Sequence, residues 1–99
     1  MNTYSLSAAA IQDLNELCDY IAQNQPQAAH RIFDNIRQRC KLLAQFPNMG
    51  KSYNRLSQDL KGALIEDYII FYYPKQDGID VVQIVGGCRD LEALFDESF

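Results

Sequence analysis

With one histidine, three cysteines and no CxxC pair in 99 residues, the chain has little to bind a metal with. A structural zinc site needs four thiolate or imidazole ligands at short spacing, so no metal and no cofactor is expected. Cys18, Cys40 and Cys88 are odd in number and lack metal spacing, which reads as free thiols in a reducing cytoplasm. No apolar run approaches the ~20 residues that cross a bilayer, so no membrane partner is expected. Met1-Asn2-Thr3-Tyr4 has neither a basic n-region nor an apolar h-region, and no secretory signal is expected. What is present is ordinary: 47% hydrophobic and 22% charged residues exclude an intrinsically disordered chain. Residues 1–99 are expected to form one domain, because two separate cores would each be too small to fold unaided.

The net charge of −4 is unevenly spread. Residues 1–30 hold Asp13, Glu16 and Asp19 and no Lys or Arg. Residues 31–61 hold seven basic side chains against Asp34 and Asp59, and residues 62–99 hold only Lys75 and Arg89 against eight acids. Generic nucleic-acid binding draws its affinity from Lys and Arg neutralising phosphates, so an acidic chain is a poor candidate for it. The middle third can still form a local basic patch or a solvated helix face of mixed charge.

Thr3-Tyr4-Ser5-Leu6 alternates in polarity and predicts a short strand. Ser7 stands at a helix N-cap, and Ile11, Leu14, Cys18 and Ile21 recur at helical spacing, predicting a helix over Ala8 to Ala22. Pro26 suits the first turn of a second helix, which carries the stripe Ala29, Ile32, Phe33, Ile36, Cys40 and Leu43 to about Ala44. Two helices so closely joined lie antiparallel. Phe46-Pro47-Asn48-Met49-Gly50 ends the second helix, because Pro47 cannot donate and Gly50 tolerates a positive φ. Lys51 to Lys61 reads as a polar, basic loop with room for one turn of helix. Ala63-Leu64-Ile65, Tyr68 to Tyr73 and Ile79 to Val85 are strands, with Glu66-Asp67 as a turn and Pro74 to Gly78 as a hairpin loop. The last two strands are apolar on both faces, which places them centrally in their sheet. A brief helix is expected near Arg89 to Phe95. The order β-α-α-β-β-β predicts an α+β fold, an antiparallel helical hairpin packed on a small antiparallel sheet.

Beyond these patterns, Tyr4-Ser5-Leu6-Ser7 with Ala10, Asp13-Leu14 and Tyr20-Ile21-Ala22 resembles the opening of the RelE/ParE toxin superfamily. Leu42-Leu43-Ala44 with Phe46-Pro47 and Gly50, the strand Tyr68 to Tyr72, and Gly87-Cys88-Arg89-Asp90-Leu91 resemble its later motifs, in order along nearly the whole chain. The resemblance is strongest to ParE-like toxins of type II toxin–antitoxin modules. It implies a cytoplasmic, plasmid-stabilising toxin that poisons DNA gyrase by binding. It also implies a cognate antitoxin whose flexible C-terminal tail wraps the toxin, with operator DNA reached only through that antitoxin. The alternatives are a RelE-like ribosome-dependent mRNA endoribonuclease and an inactive binding or co-repressor relative.

The RelE-like chemistry needs cations around a scissile phosphate and a group that exchanges a proton near neutral pH. The last third offers only Lys75 and Arg89 as cations, and His30 lies early in the second helix, so no catalytic residue is assigned. The target-binding candidates are Lys51, Tyr53, Arg55 and Lys61 in the long loop and Arg89 in the Arg-Asp motif. Cys18 and Cys40 fall on the inner helix stripes and are read as small core residues, with a disulfide between them left open.

Overall fold

The computed structural model describes residues 2–86. Strand β1 (Thr3–Leu6) leads into helix α1 (Ala8–Ala22), then α2 (Pro26–Gln45), a 3₁₀ turn at Pro47–Met49, and strands β2 (Lys51–Ser52), β3 (Lys61–Ile65), β4 (Tyr68–Lys75) and β5 (Gly78–Gly86). The strands form one five-stranded sheet in the order β1-β5-β4-β3-β2. β1 runs parallel to β5, and every other junction is antiparallel. The helical hairpin is therefore a crossover, carrying the chain from one edge of the sheet over its face. The antiparallel sheet read from the sequence is present, with β1 added to it as a parallel edge.

Ser7 anchors the start of this crossover. Its hydroxyl oxygen accepts from the Ala10 N–H at 3.0 Å, its O–H donates to the Val82 carbonyl at 2.9 Å, and its own N–H donates to the Val81 carbonyl. One serine thus caps α1 and joins it to β5. Six residues further on, the Asp13 carboxylate accepts from the Ile84 N–H at 3.1 Å, where β5 has outrun the four residues of β1. The open backbone of β5 is satisfied from the helix instead of by a strand.

One face of the sheet packs against both helices around Leu14, Ile32, Ile36, Cys40, Leu43, Ile70, Tyr72, Ile79, Val81 and Ile84. The opposite face carries a smaller cluster of Leu60, Ile69 and Phe71, flanked by Tyr53, Leu56, Tyr73, Val82 and Val85. β4 and β5 lie between the other strands and are apolar on both faces, as their composition predicts. A bulge adjusts the parity of β5: Phe71 pairs with Gln83 and Tyr72 with Val81, leaving Val82 as the extra residue. Ile79, Val81 and Ile84 consequently all face the helices despite their uneven spacing.

Strand boundaries differ from the sequence reading, and β3 begins at Lys61 instead of Ala63. β4 continues through Pro74 to Lys75, and the hairpin loop shrinks to Gln76 and Asp77. Pro74 is tolerated because β3 pairs with β4 only as far as Tyr72, so beyond that point β4 has a partner on one side alone. Within Lys51 to Lys61, the loop begins with the two-residue β2 paired to Gly62 and Lys61, where alternation is too short to read. The Gly87-Cys88-Arg89-Asp90 motif and the helix expected over 89–95 lie outside the described residues.

Candidate functional site

The basic loop is shaped by two tyrosines and a glycine. Tyr72 is fully buried in β4, and its phenol donates to the Pro47 carbonyl at 2.7 Å while accepting from the Gly50 N–H at 3.0 Å. Gly50 has an ordinary φ of −75° and does not use the positive φ that glycine tolerates. Glycine is needed there for space, since a Cβ would lie 2.4 Å from the Tyr72 hydroxyl. This clamp sets the direction in which the chain enters β2.

β2 then distributes the candidate residues. Lys51 and Tyr53 share the side of the strand away from the helices: the Lys51 ammonium sits 5.8 Å from the Tyr53 ring centroid, a cation–π contact. Tyr53 itself meets Phe71 edge-to-face, with centroids 5.1 Å apart at 81°. Its ring also lies over Gly62, where any side chain would collide with it. Ser52 and Lys61 are register partners whose side chains lie on the other side of β2, because successive residues of a strand alternate. Arg55 is exposed in the turn that follows Tyr53. The structure therefore joins Lys51 to Tyr53, separates both from Lys61 by the thickness of the strand, and leaves Arg55 between them in sequence. Arg89 lies outside the described residues.

Lys61, Ser52, Asn48, Asn54 and Asp59 line a polar cleft of about 270 Å³ between β2 and the loop that follows it. The loop is held by the Asn54 side-chain oxygen, which accepts from the Asp59 N–H at 2.8 Å while Asp59 adopts a left-handed φ of 67°. Polar residues of this cleft other than Lys61 escaped the sequence reading. The Asn54–Asp59 pair, which tolerates such a conformation, is the one local signal that could have found it.

The remaining chemically capable side chains of the described residues have structural partners or face solvent. The Tyr73 hydroxyl shares a hydrogen bond of 2.6 Å with Ser57. His30 is an exposed helix residue 3.6 Å from Asp34, as its position predicts. Burial pushes the Tyr72 phenol above its ordinary pKa, with the Gly50 hydrogen bond opposing. The Tyr68 phenol is pushed up by burial and by the neighbouring Asp67 and Glu66. Cys40 is buried with its thiol pushed up to about 11 by desolvation, while Cys18 is partly buried. Both are free thiols, and burial in the core keeps Cys40 out of reach of reactants.

At the opposite edge, Asp80 accepts from the Ser5 hydroxyl and pairs with Lys75 at 2.9 Å, tying β1, β5 and β4 together. The Ser5 hydrogen bond, and then Lys75, hold the Asp80 carboxyl below its usual range. A depressed carboxylate pKa adds stability above the unfolded value near 4, and that stability is lost as pH falls through the folded pKa. Both partners are solvent-exposed, so screening keeps the effect small. Urea unfolding of the wild type should therefore weaken slightly more between pH 6 and pH 3 than that of Asp80→Asn.

Comparison with known proteins places this architecture. Residues 4–91 match the family described as "ParE toxin of type II toxin-antitoxin system, parDE". The chain belongs to the ParE toxin family. It is thus the toxin of a type II toxin–antitoxin module, a class that implies an antitoxin partner. This ParE-family toxin is 29% identical over 80 residues to Toxin RelE2 of Caulobacter vibrioides, covering 81% of this chain and 89% of that protein. Its fold matches a structure titled "Chromosomal ParDE TA system from P. aeruginosa" with a TM-score of 0.73 at 19% identity, covering 87% of this chain and 96% of the other. No helix among the described residues of the ParE-family chain is long and apolar enough to cross a membrane.

Proposed function

We propose that this toxin acts in the cytoplasm by binding DNA gyrase and holding it on cleaved DNA, its own side chains making and breaking no bonds. The supporting observation is the placement of the polar groups that RNA cleavage would recruit. Tyr72 and Tyr73 are committed to internal hydrogen bonds, His30 stands on the outer surface of α2, and Lys51 and Lys61 lie on opposite sides of β2. Among the described residues, these groups do not converge on one point where a scissile phosphate could sit. Lys51, Tyr53, Arg55 and Lys61, with Arg89, are the surface offered to the target.

The cognate antitoxin is neutralising and binds elsewhere, through a flexible tail. The outer edge of β1 is unpaired among the described strands and is flanked by a largely apolar groove of about 290 Å³ between Thr3, Tyr4, Lys41 and Ala44. A strand added there and a helix laid on the hairpin would use both surfaces. α1 exposes Ile11 and Tyr20 beside Glu16 and Asp19, which favours a tail carrying Lys and Arg. Operator DNA is contacted through the antitoxin.

Purified gyrase tests the mode of action. Excess toxin should block supercoiling and accumulate cleavage complexes. Primer extension on translated messages should show no codon-linked cuts; new RNA ends with gyrase unaffected would reverse the assignment in favour of the ribosome-dependent nuclease.

A further inference from the structure

We infer that the cleft between β2 and the Asn54–Asp59 turn receives a carboxylate side chain from an acidic segment of a protein partner. This deepens the binding mode proposed above by naming the chemistry of the surface that the toxin engages. Lys61 supplies the cation, and Ser52, Asn48 and Asn54 supply hydroxyl and amide groups at the same cleft. A mainly polar recess in which one ammonium and several uncharged donors stand beside Asp59, Leu60 and Pro74 suits a single carboxylate better than an extended apolar side chain.

Charge pairing on the rest of the surface sharpens the inference. Arg31 and Lys75 each hold a carboxylate at 2.9 Å, on Glu66 and Asp80. Lys51, Arg55 and Lys61, like Arg37, Arg39 and Lys41 of α2, have no carboxylate partner among the described residues, and of the unpaired cations Lys61 alone lines the cleft. Lys51, Arg55 and Lys61, spread around β2 and the turn after it against the single Asp59, leave a local excess of positive charge on a chain whose net charge is −4. A long polyanion such as RNA would gain from these three and be repelled by the acidic remainder. A short acidic segment of a folded protein collects the local attraction with little of that repulsion.

Asp59 provides the internal control. Asp59 lines the cleft and its negative charge opposes an incoming acid, so that charge sets the sign of the response. Asn also tolerates the left-handed φ of 67°, which makes Asp59→Asn a charge change with little conformational cost.

Two fluorescein-labelled probes of equal charge are titrated into the full-length toxin at low ionic strength: a glutamate-containing peptide and single-stranded RNA. The peptide should bind more tightly than the RNA. Lys61→Gln should weaken peptide binding about tenfold and Asp59→Asn should strengthen it about threefold, both effects fading as salt is raised. Circular dichroism melts confirm that each variant is folded; should Lys61→Gln melt early, Lys61→Arg with retained binding takes its place. Tighter binding of RNA, absence of peptide binding, or weakening by Asp59→Asn overturns the inference. The result stands apart from the gyrase assay: peptide binding with the predicted signs, in a toxin that leaves gyrase untouched, retains the acidic partner and removes gyrase as its identity.

Discussion

Gly78→Ala is expected to undock β1 and to lower the free energy of unfolding by about 3 kcal/mol. Gly78 has a φ of +144°, a region that L side chains rarely adopt. The steric problem is larger still. A Cβ at this position would stand 1.7 Å from the Thr3 carbonyl oxygen and under 3 Å from its carbon and nitrogen. Thr3 has no room to retreat, because it pairs with Gly78 and its N–H donates to the Asp77 carbonyl at 3.0 Å. Relief requires the first strand to leave, and with it go the parallel ladder and the Ser5–Asp80 contact. Ser5→Ala is the matched comparison: it removes one exposed hydrogen bond, leaves the strand in place, and should cost under about 1 kcal/mol. Urea unfolding of the two variants measures the difference. Equal stabilities would show that β1 contributes little, and would also weaken the case for its outer edge as the antitoxin's docking strand.

The legible and illegible parts of this fold divide along a physical line. α1 was readable to the residue because Ser7 caps it locally and its apolar stripe has a helical period over fifteen residues. The central hairpin was readable because β4 and β5 are apolar on both faces, which only a buried position explains. β2 was not, since two exposed residues carry no period and the strand exists only because the Tyr72 clamp aims the chain at Gly62. Pro74 misled for a related reason: whether a proline breaks a strand depends on how far the neighbouring strand pairs, and the β3–β4 ladder stops at the Lys61–Tyr72 pair. The candidate site was legible as a set of cations in one loop and illegible as a geometry. Sequence proximity put Lys51 and Lys61 together, whereas strand alternation puts them on opposite sides. Gly50 shows the same limit, since its requirement comes from a hydroxyl twenty-two residues away.

Tyr72→Phe should destabilise the protein by about 2 kcal/mol, a large effect for the loss of one oxygen atom. The ring would keep its place in the core, so no cavity is expected and the packing around Ile36, Ile70 and Val81 should survive. What is lost is a donor to Pro47 and an acceptor for Gly50, and both backbone groups are left partly buried without that partner. An unsatisfied buried group costs more than the net value of an ordinary hydrogen bond, about 1 kcal/mol, so the loss exceeds that figure. The damage should spread to the site, because the 3₁₀ turn at Pro47–Met49 and the entry to β2 depend on this phenol. Amide exchange at Tyr53, whose N–H donates to the Leu60 carbonyl at 2.8 Å, should accelerate, while exchange in β5 should hardly change. Alkaline unfolding supplies a second readout. Burial raises the folded pKa of Tyr72, so the associated stability is present below the unfolded value near 10 and is lost as pH rises through the folded pKa. The wild type should therefore lose more stability than Tyr72→Phe above pH 10. Uniform acceleration of exchange across the sheet would mean that the phenol supports the whole core; a change confined to β2 and its loop identifies it as the residue that sets the direction of the binding surface.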